Sequence, residues 1–219
     1  MPPDLTLAFD TAAAHCAAAV LSGDRVLTAR VELMDKGQAE RLMPMLEEVM
    51  AEFGATWRDL ALLGVGIGPG NFTGVRISVA AARGLALGLG IASIGVSGLR
   101  ALAFHMVGPI RVALKGPRGS FYLQDYLSEA PVGDPYIAEA GSLGFWPAVG
   151  AGIPVGDWPE PPEDRPDLWT ARPEPIGRII AVGHIARAMS GTNQPRPTPL
   201  YLRAPDAAPP SDPPPVMLP

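Results

Sequence analysis

The segment from Leu62 to Val96 constrains the fold of this chain more than any other part of the sequence. An apolar run from Leu62 to Gly68 leads through a glycine-rich loop into a long apolar stretch, Val75 to Leu89. A second apolar run, Ala92 to Val96, follows. A strand, a helix and a further strand in this order require a crossover connection, which makes the two strands parallel. The sequence therefore predicts an α/β fold with a mixed sheet.

The loop between the first strand and the helix carries glycines at positions 66, 68, 70 and 74. Glycine lets a backbone approach another backbone or a ligand without a side chain in between. The start of the following helix is a positive dipole end, which suits an anion. The loop lacks the Gly-Lys-Ser/Thr of a Walker loop and the spacing of a dinucleotide fingerprint. Two interpretations therefore stay open, a phosphate-binding loop and a tight packing turn.

Three apolar runs before this segment predict an antiparallel meander of strands: Leu5 to Asp10, Ala17 to Leu21 and Val26 to Leu33. A turn around Gly23 separates the last two runs, as in a hairpin. The pair Asp10 and Thr11 is expected at a strand end, where the carboxylate accepts backbone N–H bonds.

A helix from Gln38 to Phe53 is predicted next, because Leu42, Leu46, Val49 and Phe53 recur at helical spacing. Pro44 interrupts this pattern. Since proline is tolerated mainly in the first turn, we expect the helix to begin just before it or to be kinked there.

The second half of the chain is predicted to contain fewer helices and strands than the first half. Strands are predicted at 111–114 and 121–126, and Ser97 is expected to cap a helix that runs to about Met106. An amphipathic helix is predicted from Ile176 to Met189. The domain prediction is a first lobe at 1–106 with the helix 176–190 packing back on it, a second lobe and Pro-rich linker at 107–175, and a disordered Pro-rich tail at 204–219.

Charge and cysteine content bound the function. The net charge is −5 and no Lys/Arg cluster is present, so we do not expect the chain to bind tRNA unaided. One cysteine, Cys16, suits a reducing compartment, and the start of the chain shows no secretory pattern. The apolar stretch Ile77 to Ile94 contains Arg83 and several glycines, which favours a buried helix over a membrane span. We expect a cytoplasmic protein without a membrane partner.

The glycine-loop string as a whole is more specific than its parts. Ile67 to Ile77 reads Ile-Gly-Pro-Gly-Asn-Phe-Thr-Gly-Val-Arg-Ile, and the motifs Gly84 to Gly88 and Ile94 to Ser97 follow it. Together they closely resemble the TsaB family, also called YeaZ. Supporting similarity lies at Leu7 to Ala12, Glu40 to Leu46 and Pro199 to Arg203.

This resemblance implies a two-lobed α/β fold of the actin/sugar-kinase/Hsp70 ATPase type, with mixed sheets flanked by helices. It also implies a place in the synthesis of threonylcarbamoyladenosine at position 37 of tRNAs that read ANN codons. TsaB-like chains are understood to bind a catalytic subunit, TsaD, and to work with an ATPase, TsaE, without performing the transfer themselves. On this basis, contact with tRNA is expected only through the complex.

The histidines agree with a non-catalytic subunit. The catalytic relative carries two histidines four residues apart, whereas His15, His105 and His184 are far apart in this sequence. Cys16 has no acid–base neighbour except His15, which points to the other face if this segment is a strand. We therefore expect no catalytic residue, no metal and no cofactor. Lys115 stands where relatives commonly have an acidic residue, so a role tied to that acid is in doubt.

A residual phosphate or nucleotide loop, with a nucleotide at a subunit interface, is the open point of this prediction. Its candidate residues are Asp10, Thr11, Gly68, Gly70, Thr73 and Gly74.

The two helices 38–53 and 75–89 form a bundle with a second subunit in TsaB-like proteins, so the resemblance implies an interface there. Arg76 and Arg83 are expected at its polar rim or paired with Glu40 or Glu47, and Arg76 could alternatively face an anion. The predicted interface residues are Leu42, Met43, Leu46, Met50, Val75, Arg76, Val79, Ala82, Arg83 and Ala86.

Two alternatives remain at this level. An autonomous ATP-dependent enzyme of the same fold, such as a small-molecule kinase, would need a catalytic aspartate and phosphate-binding glycines in both lobes. A homodimer could also form, because the helix pair could associate with itself.

Overall fold

The computed structural model describes residues 4–139, 153–157 and 174–203. Within these ranges the chain forms two mixed sheets and four α-helices. The elements are β1 (Leu5–Asp10), β2 (His15–Ser22), β3 (Arg25–Leu33), α1 (Gln38–Ala51), β4 (Leu60–Gly66), α2 (Phe72–Leu89), β5 (Ala92–Val96), α3 (Gly98–Ala103), β6 (Pro109–Lys115), β7 (Ser120–Leu127), β8 (Ala130–Glu139), β9 (Ile153–Gly156) and α4 (Pro175–Met189).

The first sheet has the strand order β3-β2-β1-β4-β5. The strands β1, β2 and β3 pair antiparallel, while β4 pairs in parallel with both β1 and β5. The predicted meander and the predicted crossover are therefore both confirmed. Alternate side chains of β1 enter different cores: Leu7 and Phe9 pack with α1, whereas Ala8 packs with α4. The sheet is thus covered by helices on both faces.

Helix α4 comes close to this sheet because the contact positions are small. A Cβ at Gly64 would stand 2.9 Å from Cβ of Ala186, and one at Gly183 would overlap Leu21. Ile179, Val182 and Ile185 fill the space around these glycines. The amphipathic pattern predicted for 176–189 therefore marks a helix that packs on the first sheet.

The second sheet has the order β8-β7-β6-β9. Its inner face packs on α3, where Leu99 and Leu102 meet Ile110, Val112 and Tyr122. Strands β6 and β7 confirm the two strands predicted in this region. The sequence did not predict β8, an edge strand that contains two prolines. Proline is accepted on edge strands, where the missing N–H faces solvent, so the proline signal concealed a strand here.

The helix boundaries differ from the prediction for identifiable reasons. Helix α1 runs through Pro44 and ends at Ala51, so that Phe53 lies outside it and is 48% exposed. Burial of side chains on both sides of Pro44 holds this helix, since packing contributes more to helix stability than propensity does. Helix α2 begins at Phe72, three residues before the predicted start, because Asn71 caps it. Ser97 caps α3 as predicted, although α3 ends at Ala103.

Residues 192–203, here named the C-terminal strap, lead from the end of α4 to the glycine loop. The Leu200 N–H donates to the Ile67 carbonyl at 2.8 Å. Pro197 is buried and lies against Gly95 of β5. Leu202 packs against the core that α3 shares with the second sheet. The strap therefore contacts both sheets of the molecule.

Two predicted segments lie outside the described residues. They are most of the Pro-rich linker, at 158–173, and the tail at 204–219.

Candidate functional site

A cleft of about 840 Å³ separates the two sheets. Most of its lining comes from the β1–β2 turn, the glycine loop, the β6–β7 turn, the first turns of α4 and the end of the C-terminal strap, and α3 and Asp157 contribute the rest. A volume of this size is typical of small-molecule sites. The cleft is thus the candidate site of the described residues.

The glycine loop packs against the β1–β2 turn. A Cβ at Gly70 or at Gly74 would come closer than 3.0 Å to the carbonyl groups of Ala12 and Thr11. The Asn71 N–H donates to the Ala12 carbonyl at 2.7 Å, and Thr11 Oγ1 donates to the Gly74 carbonyl at 2.7 Å. Close backbone contact therefore explains these glycines, and the packing-turn interpretation is favoured.

The amide groups at the start of α2 are already engaged. The side-chain oxygen of Asn71 accepts hydrogen bonds from the N–H groups of Thr73 and Gly74, at 2.9 and 3.1 Å. Both residues lie in the first helical turn rather than in the loop. This cap occupies two of the amide donors that a phosphate at the start of α2 would use, which argues against Thr73 and Gly74 as phosphate-binding residues. Gly68 is buried, with φ of 87° and Val75 against it.

Asp10 borders the cleft, and both of its carboxylate oxygens have partners. One accepts the Ala12 N–H at 2.8 Å, and the other lies 3.4 Å from Nε2 of the buried His15. Burial by itself raises the pKa of Asp10, but the His15 hydrogen bond and charge, the Ala12 N–H and the charge of Arg178 outweigh it. The pKa of Asp10 is therefore held below its usual 3.8. The strand-end turn predicted for Asp10 is confirmed, and its pairing with His15 was not predicted.

The depressed pKa of Asp10 makes the folded state sensitive to acid. A carboxyl group whose pKa is lower in the folded than in the unfolded state contributes stability above the unfolded pKa and loses it as the pH falls towards the folded pKa. We expect the unfolding free energy of the wild type to fall more steeply than that of Asp10→Asn as the pH drops below about 4. Urea unfolding at pH 7, 4 and 3 measures this difference. Parallel curves for the two proteins would show that the ion pair with His15 contributes no stability.

Cys16 is buried in the core between the first sheet and α1. Burial raises the pKa of its thiol to about 11, so the thiol stays protonated at neutral pH. The neighbouring residue His15 lines the cleft. This placement agrees with the sequence prediction, because successive side chains of a strand point to opposite faces of the sheet. Cys16 is accordingly a packing residue.

The predicted partner interface needs correction. Six of its ten residues are at most 3% exposed and lie in the core of this chain, while Ala86 is half-buried. The helical stripes used for the prediction cover the chain's own sheet, because the most apolar face of a helix is the one that it buries first. Met43 is 37% exposed and remains on the surface. The six buried residues are Leu42, Leu46, Met50, Val75, Val79 and Ala82.

Arg76 and Arg83 contact the C-terminal strap and not the glutamates proposed from the sequence. Nε of Arg83 donates to the Pro197 carbonyl at 2.8 Å, and Nε of Arg76 donates to the Tyr201 hydroxyl at 2.9 Å. The Arg76 guanidinium also lies 3.7 Å from the ring centre of Phe72. The role of Tyr201 was missed, because nothing in a linear sequence shows that residue 201 returns to α2.

Two further cleft residues were not predicted as site residues, Arg178 in the first turns of α4 and Lys115 at the start of the β6–β7 turn. The position of Arg178 near the predicted start of a helix could have marked it as a site residue. A cation close to the N-terminus of a helix faces the positive end of the helix dipole, which is an unfavourable place for it.

Among the described residues, His15 lies apart from the other two histidines. His105 and His184 both contact the ring of Phe104, with ring centres 3.9 and 5.7 Å away, whereas His15 pairs with Asp10. In the ranges that the structure describes, no three His, Cys, Asp or Glu side chains form a group that could hold a metal ion.

The comparisons with known proteins agree with this architecture. The family model described as TsaD, tRNA N6-adenosine threonylcarbamoyltransferase, matches residues 32–141. The biosynthesis protein TsaB of Escherichia coli K12 is 38% identical over 125 residues, which cover 55% of this chain and 54% of that protein. An uncharacterized protein of Mycobacterium tuberculosis H37Rv is 32% identical over 208 residues, 93% of each chain. The crystallised YeaZ of Pseudomonas aeruginosa superposes with a TM-score of 0.71 at 24% identity, covering 90% of this chain and 99% of that chain.

The two mixed sheets, the helices that flank them and the cleft between them define an α/β protein, as predicted, and the superposition shows that the chain shares the fold of the YeaZ structure. Its match to the E. coli relative spans about half of that protein. The chain belongs to the TsaB (YeaZ) family.

Proposed function

We propose that this chain is a cytoplasmic, non-catalytic subunit that binds a TsaD-type transferase, and works with a TsaE-type ATPase, in threonylcarbamoylation of adenosine 37 of tRNAs reading ANN codons. Family membership supports the pathway, since the E. coli relative is named a tRNA threonylcarbamoyladenosine biosynthesis protein. A net charge of −5 supports contact with tRNA through the complex only.

The uncovered face of α2 carries this proposal. The helix is long and apolar enough to cross a membrane, yet only 28% of it is buried within the chain. Leu87 on the uncovered face is 87% exposed. An apolar surface of this kind is characteristic of a protein–protein contact.

Two glycines on the same face support a helical partner. A Cβ at Gly84 or at Gly88 would meet nothing within 4 Å in this chain. Glycine inside a helix costs about 1 kcal/mol relative to alanine. Because no contact within this chain requires a glycine at either position, we infer that a contact with another subunit does. Together with the exposed Ala80, one turn before Gly84, they form a flat strip on which a second helix can lie closely.

This strip is a revised interface, moved away from the buried residues predicted from the sequence. The revised interface still lies on α1 and α2, but on their exposed faces and not on the faces that pack against the first sheet. Residues 80, 84, 87 and 88 of α2 form its centre, and the exposed Met43 of α1 is the predicted interface residue that we retain. The proposed occupant is the TsaD-type subunit.

The charge reversal Leu87→Glu tests this interface. We expect it to weaken binding to the TsaD homologue of the same organism at least about 30-fold, as truncation or charging of a central hot-spot residue does. Val107→Glu is the matched control, because Val107 is 83% exposed and lies between α3 and β6, away from α2. Calorimetric titration of the two purified proteins measures the affinities, and tRNA modification by the reconstituted system measures the consequence.

Unchanged affinity of Leu87→Glu in a folded protein would contradict this face as the interface. A homodimer through the same face is the competing occupant. It would appear as a dimer of the isolated chain in sedimentation, disrupted by Leu87→Glu, together with no binding to the TsaD homologue.

The residues of the cleft support an autonomous kinase less well than they support a non-catalytic subunit. Such an enzyme needs a carboxylate available to a metal ion or to the substrate hydroxyl. Both oxygens of Asp10 are instead engaged by Ala12 and His15. ATP turnover by the isolated chain, lost in Asp10→Asn, would support the kinase and contradict the subunit role.

A further inference from the structure

A basic surface lies where the C-terminal strap crosses α2, and we name it the basic strap patch. It consists of three arginines and two aromatic residues, all of them exposed: Arg76, Arg83, Arg196, Phe72 and Tyr201. Contacts with the strap bring them together. Nε of Arg83 donates to the carbonyl of Pro197, the residue after Arg196, and Nε of Arg76 donates to the Tyr201 hydroxyl. The Tyr201 ring lies 4.9 Å from the Phe72 ring. Cations and aromatic rings therefore share one surface.

No acidic side chain pairs with this patch. The sequence holds no Asp or Glu between Asp59 and Asp125, and none in the C-terminal strap. The groups that Arg76 and Arg83 contact among the described residues are neutral: a hydroxyl, an aromatic ring and a carbonyl. By contrast, the arginines between β3 and α1 are paired with glutamates, as Arg41 is with Glu32. The acidic residues that give the chain its net charge of −5 thus lie elsewhere, and the patch is suited to an anionic partner.

The strap fixes the orientation of Arg76 and Arg83 and leaves most of their donors unused. A guanidinium group carries five N–H donors in a rigid planar fork. In both arginines the strap engages Nε, at 2.9 and 2.8 Å, while the two Nη groups form no hydrogen bond with any residue that the structure describes. A pair of Nη groups can bind a phosphate through two parallel hydrogen bonds. Each arginine is therefore held ready to bind one phosphate.

The aromatic residues favour a nucleic acid over an acidic protein surface. Phe72 is 36% exposed and Tyr201 is 42% exposed. Exposed aromatic rings beside arginines are platforms on which unpaired bases of RNA stack. An acidic protein surface offers carboxylates to the arginines and no flat groups to the rings, whereas RNA offers both phosphates and bases. RNA therefore matches the whole patch.

The patch borders the docking strip on α2. Arg76 and Ala80 are four residues apart, as are Arg83 and Leu87, and residues at this spacing are neighbours on a helix surface. A TsaD-type subunit bound to the strip would stand beside the patch. An RNA held by the complex would then lie within reach of both subunits.

We propose that the basic strap patch binds the phosphate backbone of the tRNA while the complex holds it. Arg76 and Arg83 each bind a phosphate, Arg196 adds positive charge, and the exposed Tyr201 ring stacks on a base. The inference rests on the proposed function, because the complex brings the tRNA to this chain. A patch with three arginines makes few phosphate contacts, so it adds to the binding by the complex and does not hold tRNA firmly by itself.

Binding of labelled tRNA to the complex of this chain with its TsaD homologue, measured by fluorescence anisotropy at several salt concentrations, tests the patch. The double variant Arg76→Gln with Arg83→Gln should bind tRNA at least about tenfold more weakly near 0.1 M salt. The slope of log affinity against log salt should fall by about one for each arginine removed. The double variant Arg76→Lys with Arg83→Lys keeps both charges and should keep the wild-type slope. Arg58→Gln is the control, because it removes an exposed cation at the opposite end of β4 from the glycine loop.

Three results would overturn the inference. Wild-type affinity and slope in the glutamine double variant would show that no phosphate is bound at the patch. Weaker binding of that variant to the TsaD homologue, with wild-type tRNA binding once the complex is saturated, would show that the patch meets an acidic surface of the partner protein. Equal losses in the glutamine and lysine double variants would show that the arginines only position the strap. Failure of the proposed function is distinct from these results, because no complex with the TsaD homologue would form at all, and the inference would then fail with it.

Discussion

Gly74→Ala should destabilise the isolated chain by about 3 kcal/mol or more, at the upper end of the cost of overpacking. The added Cβ would overlap the Thr11 carbonyl, which belongs to the backbone and has no alternative rotamer. The Thr11 hydroxyl also donates a hydrogen bond to the Gly74 carbonyl. The β1–β2 turn and the start of α2 would therefore have to move apart to make room for the Cβ. Urea unfolding followed by circular dichroism measures the loss.

Gly84→Ala is the matched control on the same helix. Its Cβ would meet nothing within 4 Å, so it should stabilise the isolated chain by about 0.5–1 kcal/mol through helix propensity. The same substitution should weaken binding to the TsaD homologue, because it thickens the proposed docking strip. Equal stability of Gly74→Ala and Gly84→Ala would show that the glycine loop does not need close backbone contact.

Leu46→Ala should cost about 2–5 kcal/mol of folding free energy, the usual range for a leucine removed from a core. Leu46 is fully buried between α1 and the first sheet. Met43, one turn before it and 37% exposed, gives the control. Met43→Ala should change the stability by less than about 0.5 kcal/mol, as surface substitutions do.

This pair also separates the two versions of the interface. If Leu46 lay at a subunit contact, Leu46→Ala would leave the isolated chain as stable as Met43→Ala does and would weaken only the complex. Denaturant unfolding of the isolated chain, followed by titration with the TsaD homologue under native conditions, distinguishes the two cases.

Local patterns predicted the elements well. Apolar runs between polar turns predicted the strands of the first sheet, helical spacing predicted α1 and α4, and Ser97 was recognised as a cap. These signals depend on neighbouring residues and on short-range sterics, which a sequence displays directly. The strand–helix–strand order similarly fixed the parallel crossover around β4 and β5.

The candidate site was predictable only in part. Asp10 and the glycine loop stand out in the sequence, but their partners come from a distance. The reason for Gly74 is a carbonyl at position 11, and the partner of Arg76 is a hydroxyl at position 201. Apolar spacing identified α1 and α2 correctly and yet could not tell a face that packs on the chain's own sheet from one that meets a partner. Both faces contain apolar residues, and only burial separates Val79 from Leu87.

The C-terminal strap has a consequence for how the chain folds during synthesis. Its bonds to Arg83 and Arg76 join residues 114 and 125 positions apart, and α4, which covers one face of the first sheet, also comes from the end of the chain. Contacts of such separation form late, because the intervening chain must first be ordered. While the ribosome is still extending the chain, one face of the first sheet therefore stays uncovered. The first sheet stays open until α4 and the C-terminal strap have left the exit tunnel, and during that interval the nascent chain is most exposed to aggregation.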